Sequence, residues 1–199
     1  ALKYFTEFWP SDNTDPIERL FIQWGFSQVF PAKTMCAHVT TWNKNSSVKF
    51  RTDVAMMCKL GFDIKLADMS KDDETYCRTA VQNYNRLKPV VLEGDMYRLV
   101  SPYGSNHTST MYVGKDKDKA AVFAFDIHPR YAEKILPVRL QGLDADKMYR
   151  VKEINLMPGA NSSLSGNGEV FSGEFLMNVG LNLFTAQQLN SRVIEVVAE

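Results

Sequence analysis

The chain has 199 residues, 45% of them hydrophobic and 23% charged, a size and composition that allow a globular core without disulfides or metal to hold it. Lys+Arg and Asp+Glu are both 23, and the balance holds on either side of Asp95, so neither half is the basic surface of a nucleic-acid binder or of a protein drawn to anionic membranes. No apolar run approaches the ~20 residues needed to span a bilayer.

The chain opens on Ala1-Leu2-Lys3-Tyr4-Phe5, with no initiator Met, no polar lead-in and no secretory signal, and is expected to begin inside a longer polypeptide. Phe5 to Trp9 reads as a short strand. Asp15-Pro16-Ile17-Glu18 then carries three helix-start signals: a capping carboxylate, a proline pre-set for the first helical position, and Glu18 to close a capping box. Ile17, Leu20, Phe21 and Trp24 follow at helical spacing, with Gly25 placed to end the helix. Met35 to Val39 reads as a strand, Arg51 to Leu60 as a helix stopped by Gly61, and Phe62 to Leu66 as a strand. Ser70 caps a third helix through Tyr76, Ala80, Tyr84 and Leu87, which Pro89 is expected to stop. Strand and helix in alternation point to a parallel sheet or a piece of a β/α barrel, and no Gly-rich phosphate turn is present to suggest a nucleotide.

From Met96 the texture changes. Met111–Val113, Ala121–Ile127, Val138–Leu140, Tyr149–Leu156, Glu169–Val179 and Arg192–Val197 are short β-type runs separated by turn-rich segments, the pattern of an antiparallel sandwich. The run Lys115-Asp116-Lys117-Asp118-Lys119 reads as a solvated hairpin tip. The composition therefore divides near Glu93-Gly94-Asp95 into residues 1–95, α/β in character, and 96–199, all-β.

Candidate chemistry concentrates in Trp9-Pro10-Ser11-Asp12-Asn13-Thr14-Asp15, between a strand and a capped helix, which in a β/α barrel is where active sites are built. A carboxyl can protonate a glycosidic oxygen while an indole packs on a pyranose, so acid/base work on a sugar fits Asp12 with Trp9 beside it. Capping already explains Asp15. Asp12 lies before the cap and has no such duty; on spacing alone it is either an acid/base group or no more than part of a helix N-cap motif. Cys36, Cys58 and Cys77 show no metal or redox spacing and read as buried free thiols, and no metal site or cofactor is expected. His38 reads as a structural histidine near the strand ends, while His107 and His128 fall in loops with no partner spacing. Asn45, Asn106 and Asn161 sit in glycosylation-type triplets that arise often by chance.

The run Phe8-Trp9-Pro10-Ser11-Asp12-Asn13-Thr14-Asp15-Pro16-Ile17-Glu18-Arg19-Leu20, continued by Ile22-Gln23-Trp24-Gly25, resembles the late-barrel motif of glycoside hydrolase family 36, the α-galactosidases. Met35 to Val39, Asp53-Val54-Ala55-Met56, Gly61-Phe62-Asp63 and Gly94 to Pro102 agree with it, and the β half agrees more loosely. The resemblance implies the last β/α units of a (β/α)8 barrel over residues 1–95 and a C-terminal antiparallel β-sandwich domain over 96–199. It implies retaining hydrolysis of terminal α-galactosides in oligosaccharides, with Asp12 as acid/base, Trp9 as a substrate contact and no cofactor. The family's nucleophile belongs to a K-W-D-type motif upstream. Here Trp9, Trp24 and Trp42 are followed by Pro, Gly and Asn, so the chain carries one carboxylate of the pair and depends on an upstream part of the same polypeptide. A barrel lacking its early strands is also expected to self-associate through unpaired edges. A rival enzyme reading keeps the fold but changes the sugar or acceptor, an α-N-acetylgalactosaminidase or a galactosyl transferase of the raffinose-synthase type; another, from a different class, is a non-catalytic carbohydrate-binding or interface module, which the β half could be.

Overall fold

The computed structural model describes residues 3–42 and 45–199; Ala1, Leu2, the Asn43 that follows Trp42, and Lys44 lie outside the described residues. Helix α1 (Pro16–Phe26), strand β1 (Cys36–Thr40), helix α2 (Val48–Ala55), strand β2 (Lys59–Asp63) and helix α3 (Lys71–Glu93) form the first half. Strands β3 (Asp95–Val100), β4 (His107–Val113), β5 (Lys119–Asp126), β6 (Met148–Ile154) and β7 (Val170–Ser172), helix α4 (Gly173–Asn178) and strand β8 (Asn190–Ala198) form the second.

β1 and β2 run parallel, with Cys36, His38 and Thr40 opposite Lys59, Gly61 and Asp63. The strand expected over Phe5–Trp9 is reduced to one parallel bridge, Phe8 to Met35, made by Phe8 N–H to the Thr34 carbonyl and Cys36 N–H to the Phe8 carbonyl. Three successive parallel positions separated by helices are the pattern of consecutive β/α units. Ala37, Val39, Leu60 and Phe62 face the helices, where Met35, Ala55 and Cys58 complete an apolar cluster.

Several boundaries move. The α1 cap is as expected: Asp15 Oδ1 accepts from Ile17 N–H at 3.0 Å and Glu18 N–H at 3.1 Å. Glu18 does not close the box, because the Asp15 N–H is already donated to Asn13 Oδ1 at 2.9 Å. α1 runs one residue past Gly25, which needs no left-handed turn there. α2 begins at Val48, not Arg51, because Ser47 caps it by accepting from Phe50 N–H; it ends at Ala55, and Gly61 lies within β2. Alternation of Leu60 and Phe62 toward the apolar cluster decides the strand over the helix. α3 passes straight through Pro89 to Glu93. The ring leaves the Asn85 carbonyl without its helical donor, but both residues are exposed, so the carbonyl stays open to solvent and the loss is tolerable. Gly94 then joins α3 directly to β3; a Cβ there would lie 2.4 Å from the Val90 carbonyl and 2.5 Å from that of Val113, so only glycine fits.

The second half is the expected antiparallel β unit. Its hydrogen-bonded strands form one six-stranded sheet in the order β3-β4-β5-β8-β6-β7. The Val138–Leu140 run contributes a single bridge, Val138 to Leu181, and the Glu169–Val179 run is the short strand β7 followed by α4, because Ser172 caps a helix by accepting from Phe175 N–H. β3, unassigned as a strand from sequence, is the sheet edge beside β4. The hairpin tip between β4 and β5 is solvent-exposed, as expected.

The sheet is buried on both faces. Met111, Val122, Ala124, Ile194 and Val196 face Leu140, Leu143, Leu164, Leu176 and Leu183, which come from loops and α4. Tyr112, Phe123, Phe125 and Val193 face Phe50, Val54, Leu87 and Val91 of α2 and α3. One apolar core thus crosses between the halves. Within it Asp53 of α2 is fully buried and accepts from Lys49 Nζ at 2.5 Å, Ser191 Oγ at 2.7 Å, Tyr76 Oη at 3.0 Å and the Asn155 amide. Cys58 is buried and its thiol is pushed up to about 12; Cys36 and Cys77 are half-buried, Cys77 pushed up to about 11, in both cases chiefly by desolvation.

Candidate active site

The loop from Trp9 to Asp15 leaves the Phe8 bridge and enters α1, so it sits over the same end of the parallel strands as Thr40 and Asp63. A ladder of side-chain-to-backbone bonds shapes it. Ser11 Oγ accepts from Asn13 N–H at 3.0 Å, Asn13 Oδ1 from Asp15 N–H, and Asp15 Oδ1 from the first amides of α1. Such i to i+2 bonds are what Ser, Asn and Asp offer in turns. From Ser11 onward the odd-numbered side chains are spent on the loop itself.

The even-numbered ones differ. Thr14 is buried; its hydroxyl lies 3.0 Å from Thr40 Oγ1 and accepts from the Trp42 indole N–H at 3.0 Å. Asp12 is exposed, and its carboxylate makes no hydrogen bond to any described residue. It is the loop's one carboxylate free of a structural task, which separates it from Asp15. Asn13 is committed to the ladder and carries no exchangeable carboxyl proton.

Trp9, 45% exposed, lays its ring against His38 of β1 with centroids 3.9 Å apart. His38 is half-buried, on the strand face it shares with Thr40. Desolvation, and next the Arg19 guanidinium, lower its pKa; Asp63 and Asp12 act in the opposite direction. The shift favours the neutral imidazole, a flat partner for the indole. Both Asp12 and Asp63 lie within electrostatic reach of this ring. A cleft of about 290 Å³ of mixed lining opens beside Thr40 and Thr41, with Arg51, Lys65 and Asp73 as well as Val48, Ile64 and Met69 on its walls.

Sequence reasoning placed Asp12, Trp9 and His38 at one end of the strands, and the structure gathers them there. It missed Arg19, Thr14, Trp42 and Asp63, whose roles depend on partners 8 to 28 residues away or on a neighbouring strand. It also missed that His107 is buried in the β half, with Nδ1 2.8 Å from Asp126 and its ring stacked on Phe184. Asp126 is held in turn by Thr185 and Asn190. The Asn106 triplet is structural in part, since that amide donates to Glu133. Among the described residues no cluster of three or more His, Cys, Asp or Glu is arranged to hold a metal.

The cap assignment makes a simple prediction. Asp15→Asn keeps the acceptor and should leave stability within about 0.5 kcal/mol, whereas Asp15→Ala should cost about 1 kcal/mol in a denaturant melt. A large loss in the Asn variant would show that the charge of Asp15 matters beyond capping.

Residues 1–94 match the family described as Melibiase, and residues 107–196 match the Glycosyl hydrolase family 36 C-terminal domain. Alpha-galactosidase 2 of Hypocrea jecorina is 34% identical over 200 residues, covering 98% of this chain and 25% of its own. Among solved structures, the family 36 α-galactosidase AgaB of Geobacillus stearothermophilus superposes with a TM-score of 0.86 at 28% identity, covering all of this chain and 26% of its own. The galactosidase domain of the α-galactosidase–sucrose kinase AgaSK gives 0.85 at 27% identity, with 100% and 27% covered. Variants of a related enzyme, AgaA of the same Geobacillus, have been solved with raffinose and with stachyose. The chain spans about a quarter of the length of the curated relatives it matches. With a β/α half that fits one family description and a β half that fits the other, the chain belongs to glycoside hydrolase family 36.

Proposed function

We propose that this chain supplies the acid/base carboxylate of a retaining α-galactosidase acting on terminal α-linked galactose in oligosaccharides. Residues 1–95 serve as the last β/α units of the catalytic barrel and 96–199 as a supporting β domain. The observation that carries this is Asp12: an exposed carboxylate, free of any structural bond to described residues, on a hydrogen-bonded loop at the end of the parallel strands beside the Trp9–His38 pair. In the first half-reaction Asp12 donates a proton to the glycosidic oxygen while a second carboxylate attacks the anomeric carbon. In the second, Asp12 takes a proton from water as that water displaces galactose from the enzyme. The second carboxylate comes from the upstream part of the same polypeptide, since no K-W-D motif occurs in this chain. Trp9 offers its free face to the sugar.

The groove along β2 supports a missing neighbour. Phe62, Ile64, Leu66, Met69, Cys77 and Val81 line a cleft of about 660 Å³, and β2 has no strand on its outer side among the described residues. The same open edge gives a route to self-association of the chain alone.

The test is activity by parts. The 199-residue chain alone should show no turnover of an aryl α-galactoside above background, because a lone general acid contributes only ~10²–10⁴-fold where glycosidases need far more. Expressed in one polypeptide with a family 36 barrel segment carrying the nucleophile, it should hydrolyse the same substrate. Robust turnover by the isolated chain would overturn this division of roles.

A further inference from the structure

Arg19 is 4% exposed, on the inner face of α1, and no carboxylate among the described residues pairs with it. Burying a cation without an anion is unfavourable, and an apolar side chain of similar volume would serve α1 packing better. What the guanidinium does is hold backbone. Nη1–H donates to the Ser11 carbonyl at 3.2 Å, Nη2–H to the Cys36 carbonyl at 3.0 Å, and Nε–H to Gln23 Oε1 at 3.4 Å. Gln23 in turn donates to the Val54 carbonyl of α2 at 3.0 Å.

The Ser11 carbonyl belongs to the peptide unit that ends in the Asp12 nitrogen. Arg19 therefore fixes the peptide plane on one side of Asp12, and the Ser11–Asn13–Asp15 ladder fixes the chain on the other. The Cys36 carbonyl opens β1, two residues before His38. One planar fork with donors at fixed angles thus ties the loop of the carboxylate to the strand of the Trp9–His38 pair. An ammonium on a flexible stem cannot span both carbonyls in that geometry.

We propose that Arg19 is a positioning residue for Asp12, setting the height and orientation of that carboxyl above β1. The proposal rests on the acid/base reading of Asp12 given above. A misplacement of ~1 Å in a reacting group can lower a rate ~10²-fold. Because the group displaced is a proton donor, the loss must depend on how much the leaving group needs a proton.

The experiment uses the full-length enzyme with Arg19→Lys and Arg19→Gln, assayed on methyl α-galactoside and on a dinitrophenyl α-galactoside whose leaving group departs unassisted. Expected is a fall in kcat of ~10–10²-fold on the methyl glycoside, a loss several-fold smaller for glycosylation by the activated substrate, and KM changed by less than about threefold. Guanidinium ion should restore part of the methyl-glycoside rate in Arg19→Ala. Leu20→Ala, buried on the same helix, is the control for plain destabilisation: its activity should follow the folded fraction equally on both substrates. Should Arg19→Gln not fold, Arg19→Lys keeps charge and bulk and gives the same reading. Equal losses on the two substrates in the Arg19 variants, tracking folded fraction as in Leu20→Ala, would overturn the proposal. Asp12→Ala, rescued by azide or not, is scored separately: without rescue the acid/base reading itself fails, and with rescue but no leaving-group dependence at Arg19 only the positioning role fails.

Discussion

In the full-length enzyme, Asp12→Ala should lower kcat/KM for alkyl α-galactosides by ~10²–10⁴-fold, the range by which general acid catalysis assists such reactions. An alkoxide leaves poorly without a proton, so removing the donor strikes glycosylation directly. An activated aryl galactoside leaves unaided, and its glycosylation step should lose far less. Deglycosylation still lacks its base, so galactosyl-enzyme should accumulate and appear as a burst of phenolate followed by slow turnover. Azide attacks without base assistance and should restore turnover with formation of a galactosyl azide. Mass spectrometry of the trapped intermediate and the leaving-group dependence check the two halves of the cycle independently. Azide rescue in Asp15→Ala with none in Asp12→Ala would reverse the assignment of the two carboxylates. Asp63 of β2, also within reach of His38, is the next residue to substitute if neither responds.

The second large effect concerns stability. Asp53→Ala should destabilise the fold by ~3–5 kcal/mol, the usual consequence of removing one partner from a buried charged pair. Asp53 is fully buried, and its carboxylate receives hydrogen bonds from Lys49, Tyr76, Asn155 and Ser191. Without it the Lys49 ammonium, 13% exposed, is left in the core with no opposite charge, and three other donors lose an acceptor. Because Lys49 and Asp53 lie on α2, Tyr76 on α3, Asn155 just past β6 and Ser191 on β8, the loss falls on both halves together. A single cooperative transition at lower denaturant should result, not the early melting of one half. Asp53→Asn keeps an acceptor and should cost less. A change below 1 kcal/mol in Asp53→Ala would mean that water replaces the carboxylate at little expense.

What could be read from the sequence was local. The Asp15 and Ser70 caps, the apolar spacing of α1 and α3, and the strands around Met111–Val113, Ala121–Asp126, Tyr149–Ile154 and Arg192–Val197 depend on residues within a few positions of one another, and they stand where expected. The errors share a cause. Pro89 was expected to stop a helix, but its exposure, set by how α3 packs on the sheet, decides that the missing bond is tolerable. Gly61 resembles a helix stop until His38 is placed opposite it in β1. Phe5 to Trp9 has strand composition, yet only Phe8 finds a strand partner among the described residues. The site was half legible. Spacing left Asp12 undecided, and the resemblance singled it out; the structure adds why Asp15 and Asn13 are occupied elsewhere. Arg19 gave no signal at all, since a basic residue one turn into a helix looks like surface until its fork is seen between two carbonyls. The Asp53 cluster was equally hidden, its members lying up to 142 residues apart.

Tyr84 of α3 bears on how the first half meets a neighbour. Its hydroxyl accepts from Leu60 N–H at 3.2 Å and donates to the Cys58 carbonyl at 2.8 Å. Lys59 N–H is turned toward β1, so by alternation Leu60 faces the outer side of β2. A side chain from the helix layer thus occupies the first pairing position on that edge. A strand laid along β2 meets an occupied slot at Leu60 and finds its first open backbone N–H at Phe62, one rung from the mouth where Asp63 and the Asp12 loop lie. The helix that follows β2 in sequence thereby acts as a register stop for whatever joins it.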